Sequence, residues 1–528
     1  KYNDSSQEHT IRDGANQAIS YRSMDDSTIR DRNPLLYKDP DNPYALPISI
    51  LPQGGIYQRR DNKMLGYDFR ASVAWSKVIN TDHITNFNGG MEINSVDRKQ
   101  TFFNGWGFEY EMGASPFYIY QFFKRGIEYN DDYYSITIQR NRSAAFYANP
   151  TYSYKGKYTV SGTVRYEGTN RLGKSKSARW LPTWNISGLW NVHEEKFFKS
   201  MNSVLSHLTL KTSYSLTGDN PPGNVTNSKI IVKAMKPNRP TADILESGLY
   251  IDELENSELT YEKKREFNIG AELGFLRNRI NLVLDWYTRN NHDLIGIINT
   301  QGSGGDINKY ANIADMKSQG VEFTLSTKNI LEKDFSWNTD LTFSHSKTEI
   351  TDLQTQTSVM GLITGSGFAM EGYPQRGLFS FRFGGLTKVG LPIIIDEKGE
   401  PISAEDINFQ ERENLSFLKY EGPTTPTING GLGNIFRYKN LRLNVFITYA
   451  FGNKIRLDPV FKSGYNDLSS MPKEFKNRWM IPGDETKTNV PVILSKWQLS
   501  DYSDLTKLYS AYNYTDARIA DGGFIRMK

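Results

Sequence analysis

The densest set of side chains able to bind something is a tract of rings. Between Phe102 and Tyr134 lie Trp106, Phe108, Tyr110, Phe117, Tyr118, Tyr120, Phe122, Phe123, Tyr129, Tyr133 and Tyr134, with Glu109, Glu111, Lys124, Arg125, Asp131 and Asp132 among them. Such rings can stack on sugar faces or hold peptide side chains, with the charged groups fixing orientation. The same composition suits the small core of a long loop, or a contact with a partner protein, where Tyr and Trp are enriched. Loop core ranks first, partner contact second and substrate third. The candidate contact set is Trp106, Phe108, Tyr110, Tyr118, Tyr120, Asp131, Asp132 and Tyr133.

Catalytic and metal chemistry is thin elsewhere. The six histidines, His9, His83, His193, His207, His292 and His345, show no HExxH pair or other ligand spacing. The stretch IIIDEKGEPISAEDINFQ offers Asp396, Glu397 and Glu400, without the spaced oxygen ligands of a calcium loop. A solvated acidic loop is the expectation there, with no metal and no cofactor. Gly302 to Gly305 opens no helix that would cradle a phosphate. No cysteine is present, which excludes disulfides, thiolate ligands and cysteine nucleophiles. The formal charge of +4 on 63 basic and 59 acidic groups, with no basic block, does not indicate nucleic acid. No enzyme is expected.

What must position these residues is a series of hairpins. In REFNIGAELGFLRNRINLVLDWYT, Phe267, Ile269, Ala271, Leu273 and Phe275 share one face. Glu266, Asn268, Gly270, Glu272 and Gly274 share the other. After Leu276 to Arg279, the residues Ile280, Leu282, Leu284 and Trp286 return on the apolar side. Pairing Phe275 with Ile280 satisfies every apolar position. The pattern recurs around Lys155 to Lys157, where Phe146, Ala148, Pro150, Tyr152 and Tyr154 meet Tyr158, Val160, Gly162, Val164 and Tyr166. It recurs around Arg437 to Asn440, pairing Ile428, Leu432 and Phe436 with Tyr449, Val445 and Leu441. A nine-residue turn at Lys328 to Ser336 sets Val321, Phe323 and Leu325 against Phe343, Leu341 and Thr339. Further alternation marks Tyr67 to Trp75, Phe87 to Ile93, Trp180 to Val192 and Leu208 to Leu216.

Short turns alternate with long connections at Thr217 to Tyr261, Asn290 to Gly320, Gly384 to Thr427 and Gly452 to Arg518. Outer-membrane barrels have this rhythm, with short periplasmic turns and long extracellular loops. No apolar run approaches the roughly 18 residues of a spanning helix, so any crossing is by strands. Lipid supplies no partner for backbone groups, so spanning strands must close on themselves, apolar side out. The polar side chains Arg165, Glu272, Asp285, Glu322 and Asp340 are then expected to face a lumen. The 31 Tyr and 28 Phe suit a membrane interface, and Trp75, Trp180, Trp190, Trp286 and Trp337 suit its girdles. Although 528 residues suggest about three or four domains, the pattern has no linker. We expect an all-β chain, one large antiparallel transmembrane β-barrel over residues 1–528. Helices are expected only at Glu194 to Met201 and Ser403 to Leu418, and Lys1 to Ile50 as an extracellular loop.

Several ordered segments resemble the SusC/RagA branch of TonB-dependent transporters from Bacteroidetes. They are TYSYKGKYTVSGTVRYEGTNRLGKSKSARWLPTWNISGLWNVHEEKFF, LKTSYSLTGDN, NSELTYEKKREFNIGAELGFLRNRINLVLDWYTRNNHDLI, ANIADMKSQGVEFTL, FRYKNLRLNVFITYAFGNKI and DARIADGGFIRMK. The resemblance implies an outer-membrane barrel of about 22 strands with an N-terminal plug. It further implies uptake of oligosaccharides or peptides with energy from TonB, a SusD-like surface lipoprotein as lid, and a dimer of such pairs. Signal, plug, first strands and last strands are expected to lie outside this sequence. A passive porin or structural barrel would need neither plug nor partner. A soluble β-rich glycan-binding protein would pack the Phe267 to Trp286 face into a core.

Overall fold

The computed structural model describes residues 1–23, 27–39, 41–42, 44–129, 133–172, 176–219, 230–235, 248–253, 255–256, 259–299, 308–364, 370–460 and 472–528. Fourteen strands form one antiparallel path in which each pairs with its neighbours in the sequence. They are β1 (Tyr2–Ile11), β2 (Gly55–Ile79), β3 (His83–Glu109), β4 (Tyr134–Tyr154), β5 (Tyr158–Thr169), β6 (Trp180–Asn191) and β7 (Leu205–Asp219). The path continues through β8 (Glu262–Phe275), β9 (Ile280–Asn299), β10 (Asn308–Leu331), β11 (Phe335–Leu353), β12 (Ile428–Tyr438), β13 (Leu441–Phe451) and β14 (Phe524–Met527). Among the described residues β1 and β14 do not pair with each other.

One face of the sheet is apolar and open. Tyr67, Phe69, Val73 and Trp75 on β2, Val160 and Val164 on β5, and Ile269, Leu284 and Trp286 on β8 and β9 are all exposed. A soluble protein does not leave so continuous an apolar band in water. The Phe267 to Trp286 face packs no core, which removes the soluble alternative. Among the described residues no helix is long and apolar enough to cross a membrane, and the strands are the elements suited to do so.

Buried apolar side chains gather at the long-connection end. One cluster joins Ile11, Ile56 and Trp106, at strand ends, to Ala18, Tyr37, Leu51 and Phe122. A second holds Leu172, Leu181 and Tyr261. The largest is drawn from residues 359–418 and Ala511. At the other end most links are tight, the one at residues 192–204 excepted. Lys155 and Gly156, Leu276 to Asn278, and Lys439 take positive φ, the backbone sense that matches strand twist in short hairpin loops.

The alternating hairpins form as expected, and two keep the expected register. Phe275 pairs with Ile280 and Ile269 with Trp286, while Phe146 pairs with Tyr166 and Tyr154 with Tyr158. Two others are offset by two residues. Val321 meets His345, and Ile428 meets Phe451, because their turns shrink to residues 332–334 and 439–440. A shift of two keeps each side chain on its face, so the apolar pattern cannot detect it. Lys1 to Ile50 is not wholly a loop, since Tyr2–Ile11 pairs along β2. The connection placed at Asn290 to Gly320 is mostly strand, as β9 and β10 run on to Asn299 and back from Asn308. Ser403 to Leu418 forms turns and no helix. Among the described residues the short α-helices are Asn16–Arg22, Ser27–Arg32, Tyr120–Tyr129, Lys176–Arg179, Val359–Thr364, Lys496–Asp501 and Ser503–Asn513, and the helix expected at Glu194 to Met201 is a 3-10 turn over Lys196–Met201.

Candidate functional site

The face opposite the apolar band carries ionic networks that tie strands together. Glu92 on β3 bonds Arg70 on β2 and Arg165 on β5, the latter at 2.9 Å, and Arg165 reaches Glu167 at 2.7 Å. Ala145 on β4 lies between them, opposite both Glu92 and Glu167. Its small side chain leaves the space across which Arg165 reaches Glu92. Lys211 on β7 lies 3.4 Å from both Glu272 and Asp285. Gly270 lies beneath them, and a Cβ there would displace the Asp285 carboxylate and Lys211 Cε. Glu322 stands across from Asp285, and Asp340 accepts from Ser326 Oγ at 2.6 Å. All five residues expected to face a lumen therefore share the polar side of the sheet. Half-exposed pairs of this kind contribute at most about 1 kcal/mol each, so their collective effect is the field they set up.

The ring tract divides by burial. The run Phe102 to Phe108 completes β3, and Trp106 is buried edge-on to Tyr21 at 4.7 Å and near Phe122 at 5.7 Å. It belongs to the loop core. Phe108 and Tyr110 are half-buried, and Tyr110 donates to Ile56 O at 3.1 Å. Burial raises the Tyr110 pKa above the ordinary tyrosine range. Tyr118, Tyr120 and Tyr133 are exposed, with Phe117 beside them. Asp131 and Asp132 lie outside the described residues. These rings sit on a loop that Lys124 anchors, 2.6 Å from Asp39 and 2.9 Å from Asp41.

Hydrogen bonds to Asp39 and then Asp41 hold the Lys124 pKa well above the usual lysine range. A raised lysine pKa gives stabilisation that is complete below the ordinary value and lost only as pH climbs through the raised one. The lysine therefore adds no pH response to this contact between about pH 6 and 9. Replacing it does perturb the contact. Lys124→Met is expected to cost about 1 to 2 kcal/mol locally. It should raise amide exchange at Tyr37 and Ile48, which bond each other at 2.9 Å, by roughly 5- to 30-fold. Unchanged exchange there would show that the anchor is idle.

The described parts of the two long connections 354–427 and 452–523 fold as one body. Phe381 N–H donates to Tyr514 O at 3.0 Å, and Asp516 N–H to Phe381 O at 2.9 Å. The Arg456 guanidinium donates to Phe379 O at 2.7 Å and lies over the Tyr514 ring. Burial pulls its pKa down to about 10. The acidic stretch is a turn in this body. Asp396 accepts from the N–H groups of Lys398 and Glu400 at 2.8 and 2.9 Å. These backbone donors, Glu400 foremost, hold its carboxyl below the usual range. Among the described residues no cluster of His, Asp or Glu is arranged to hold a metal ion.

Between this body and the outer ends of β9 and β10 lies a cavity of about 920 Å³. Ile297, Ile298, Ala311 and Ile313 form one wall, and Gln354 to Ser358, Met360, Gly361 and Thr364 the other. Arg412 is its charged lining residue. No single stretch of sequence signals this site, since four separate segments meet there.

The family model described as TonB dependent receptor-like, beta-barrel, matches residues 2–391. The chain belongs to this family. TonB-dependent receptor P3 of Formosa agariphila is 24% identical over 412 residues, 74% of this chain and 38% of that protein. TonB-dependent receptor SusC of Bacteroides thetaiotaomicron is 28% identical over 219 residues, 40% of this chain and 21% of SusC. The RagAB peptide transporter structure superposes with a TM-score of 0.70 at 19% identity, covering 89% of this chain and 49% of that one. This TonB-dependent receptor chain thus spans well under half of those curated relatives and about half of the solved one, and the structural likeness is one of fold. A member of this family resides in the outer membrane, so the apolar band meets lipid and the long-connection end is extracellular.

Proposed function

We propose that residues 1–528 form part of one transport barrel that imports peptides or oligosaccharides using energy from TonB, beneath a SusD-like lipoprotein lid. The lumen is the side carrying Arg165, Glu272, Asp285, Glu322 and Asp340. The exposed rings Tyr118, Tyr120 and Tyr133 suit the lid contact. The carrying observation is the cavity lining, which supports peptide as the favoured cargo. Among the described residues, Gln354, Gln356, Thr355, Thr357, Ser358 and Arg412 offer amides, hydroxyls and one cation. These groups suit a peptide main chain and a carboxylate. A sugar ring would call for an aromatic platform, and among the described residues the lining contains no ring. The RagAB transporter of similar fold is itself a peptide transporter.

Uptake of a labelled acidic oligopeptide by cells carrying the full transporter tests this. Arg412→Ala is expected to raise the half-saturating concentration about tenfold, the loss of one charge-assisted hydrogen bond. A protonophore should stop uptake altogether. Uptake that persists with the protonophore indicates a passive porin, and uptake of a labelled oligosaccharide in place of the peptide rejects the cargo class.

A further inference from the structure

The lipid-facing side is not a uniform surface. Near the short-turn end, Pro150 and Gly162 lie side by side, such that a Cβ on Gly162 would be 3.5 Å from Pro150 Cγ, and Gly188 stands opposite Val160. These small residues leave a groove of about 750 Å³ walled by Trp75, Phe87, Tyr152 and Ile186. Its end toward the turns is polar. Thr85 lines it and pairs with Lys77, which follows Trp75 by two residues and so shares its face, about 7 Å further along the strand. Among the described residues Lys77 makes no ion pair. The neighbouring carboxylate, Asp82, is engaged by Lys155 at 3.3 Å. Tyr152 meets His83 Nδ1 at 2.7 Å on the same rim.

We propose that this groove is a specific site for an anionic glycerophospholipid of the periplasmic leaflet. One acyl chain lies over Gly162 and Pro150, and the phosphate group lies against the Lys77 ammonium. The groove is continuous with the lipid-exposed band, so hydrocarbon is its ready occupant. An unpaired cation at its polar end matches a negative headgroup. A second copy of the chain fits less well, because a two-fold contact sets the same patch against itself. It would therefore oppose a hollow with a hollow and bring like charges together.

Native mass spectrometry of the full transporter, released from a detergent mixture of phosphatidylglycerol and phosphatidylethanolamine, tests the site. One phosphatidylglycerol per chain is expected to survive delipidation, retained at least fivefold over phosphatidylethanolamine. Lys77→Gln should remove that preference, and Gly162→Leu, which fills the groove, should abolish the tightly held lipid. Both variants should keep the heat-modifiable mobility of a folded barrel. Equal retention of the two lipids by the parent protein overturns the proposal. So does undiminished phosphatidylglycerol in Gly162→Leu, or a dimer that Gly162→Leu dissolves while no lipid is held.

Discussion

Leu284→Arg is expected to abolish outer-membrane assembly, while Asp285→Asn, one residue along, leaves it intact. Leu284 stands between Ala271 on β8 and Phe323 on β10, within the apolar band. Arginine near the midplane of that face costs roughly 2 to 4 kcal/mol, against a total stability of about 5 to 15 kcal/mol for a typical domain. It would also enter during insertion, before the neighbouring strands can shelter it. Asp285 faces the other way, toward Lys211 at 3.4 Å, and losing that half-exposed pair costs at most about 1 kcal/mol. Electrophoresis of outer-membrane fractions, heated and unheated, gives the readout. Equal effects of the two substitutions would reject the assignment of the two faces.

Phe381→Ala is expected to unfold the extracellular body and spare the sheet beneath. The ring is buried and stacks with Phe417 at 5.8 Å and edge-on to Phe409 at the same distance. Truncating such a phenylalanine costs about 3 to 5 kcal/mol, and it removes the ring that packs the segment bonded to residues 514–516 through Phe381 and Phe383. Limited proteolysis of intact cells should then cut within 354–427 and 452–523, while the heated and unheated mobilities of the barrel stay distinct. Loss of the mobility difference together with loop cleavage would mean that body and sheet unfold as one unit.

Both predictions start from features of different legibility. The Phe267 to Trp286 hairpin could be aligned residue by residue, because alternation runs unbroken to both sides of a four-residue turn. The Val321 and Ile428 hairpins were legible as to face but not register, since period-two patterns repeat after every second residue and only the turn fixes the choice. Lys439 takes positive φ without being glycine, so the tight turn at 439–440 carried no glycine marker. The outer ends of β9 and β10 escaped notice for another reason. Beyond the bilayer neither face needs to be apolar, and the alternation fades while the pairing continues. Trp106 was singled out as a ring, but whether it faced solvent or Tyr21 depended on residues some eighty positions earlier in the chain. The cavity beside Arg412 was invisible because its amides and hydroxyls come from stretches with no distinctive spacing. The polar networks were partly visible, since Arg165, Glu272 and Asp285 already stood out as charges within otherwise clean strands.

The main buried cluster draws its members from residues 359–418 and Ala511 and uses none of the barrel strands. This has an evolutionary corollary. A recombination event that replaced only residues 354–427 would leave Ala511 and Tyr514 facing foreign partners, and the product would be selected against. Replacing 354–427 together with 452–523 would carry an intact interior onto another barrel, leaving β12 and β13 as the shared seam. Lineages that shuffle such genes should therefore inherit these two connections as a linked pair, with their ancestry tracking each other more closely than either tracks the hairpin between them.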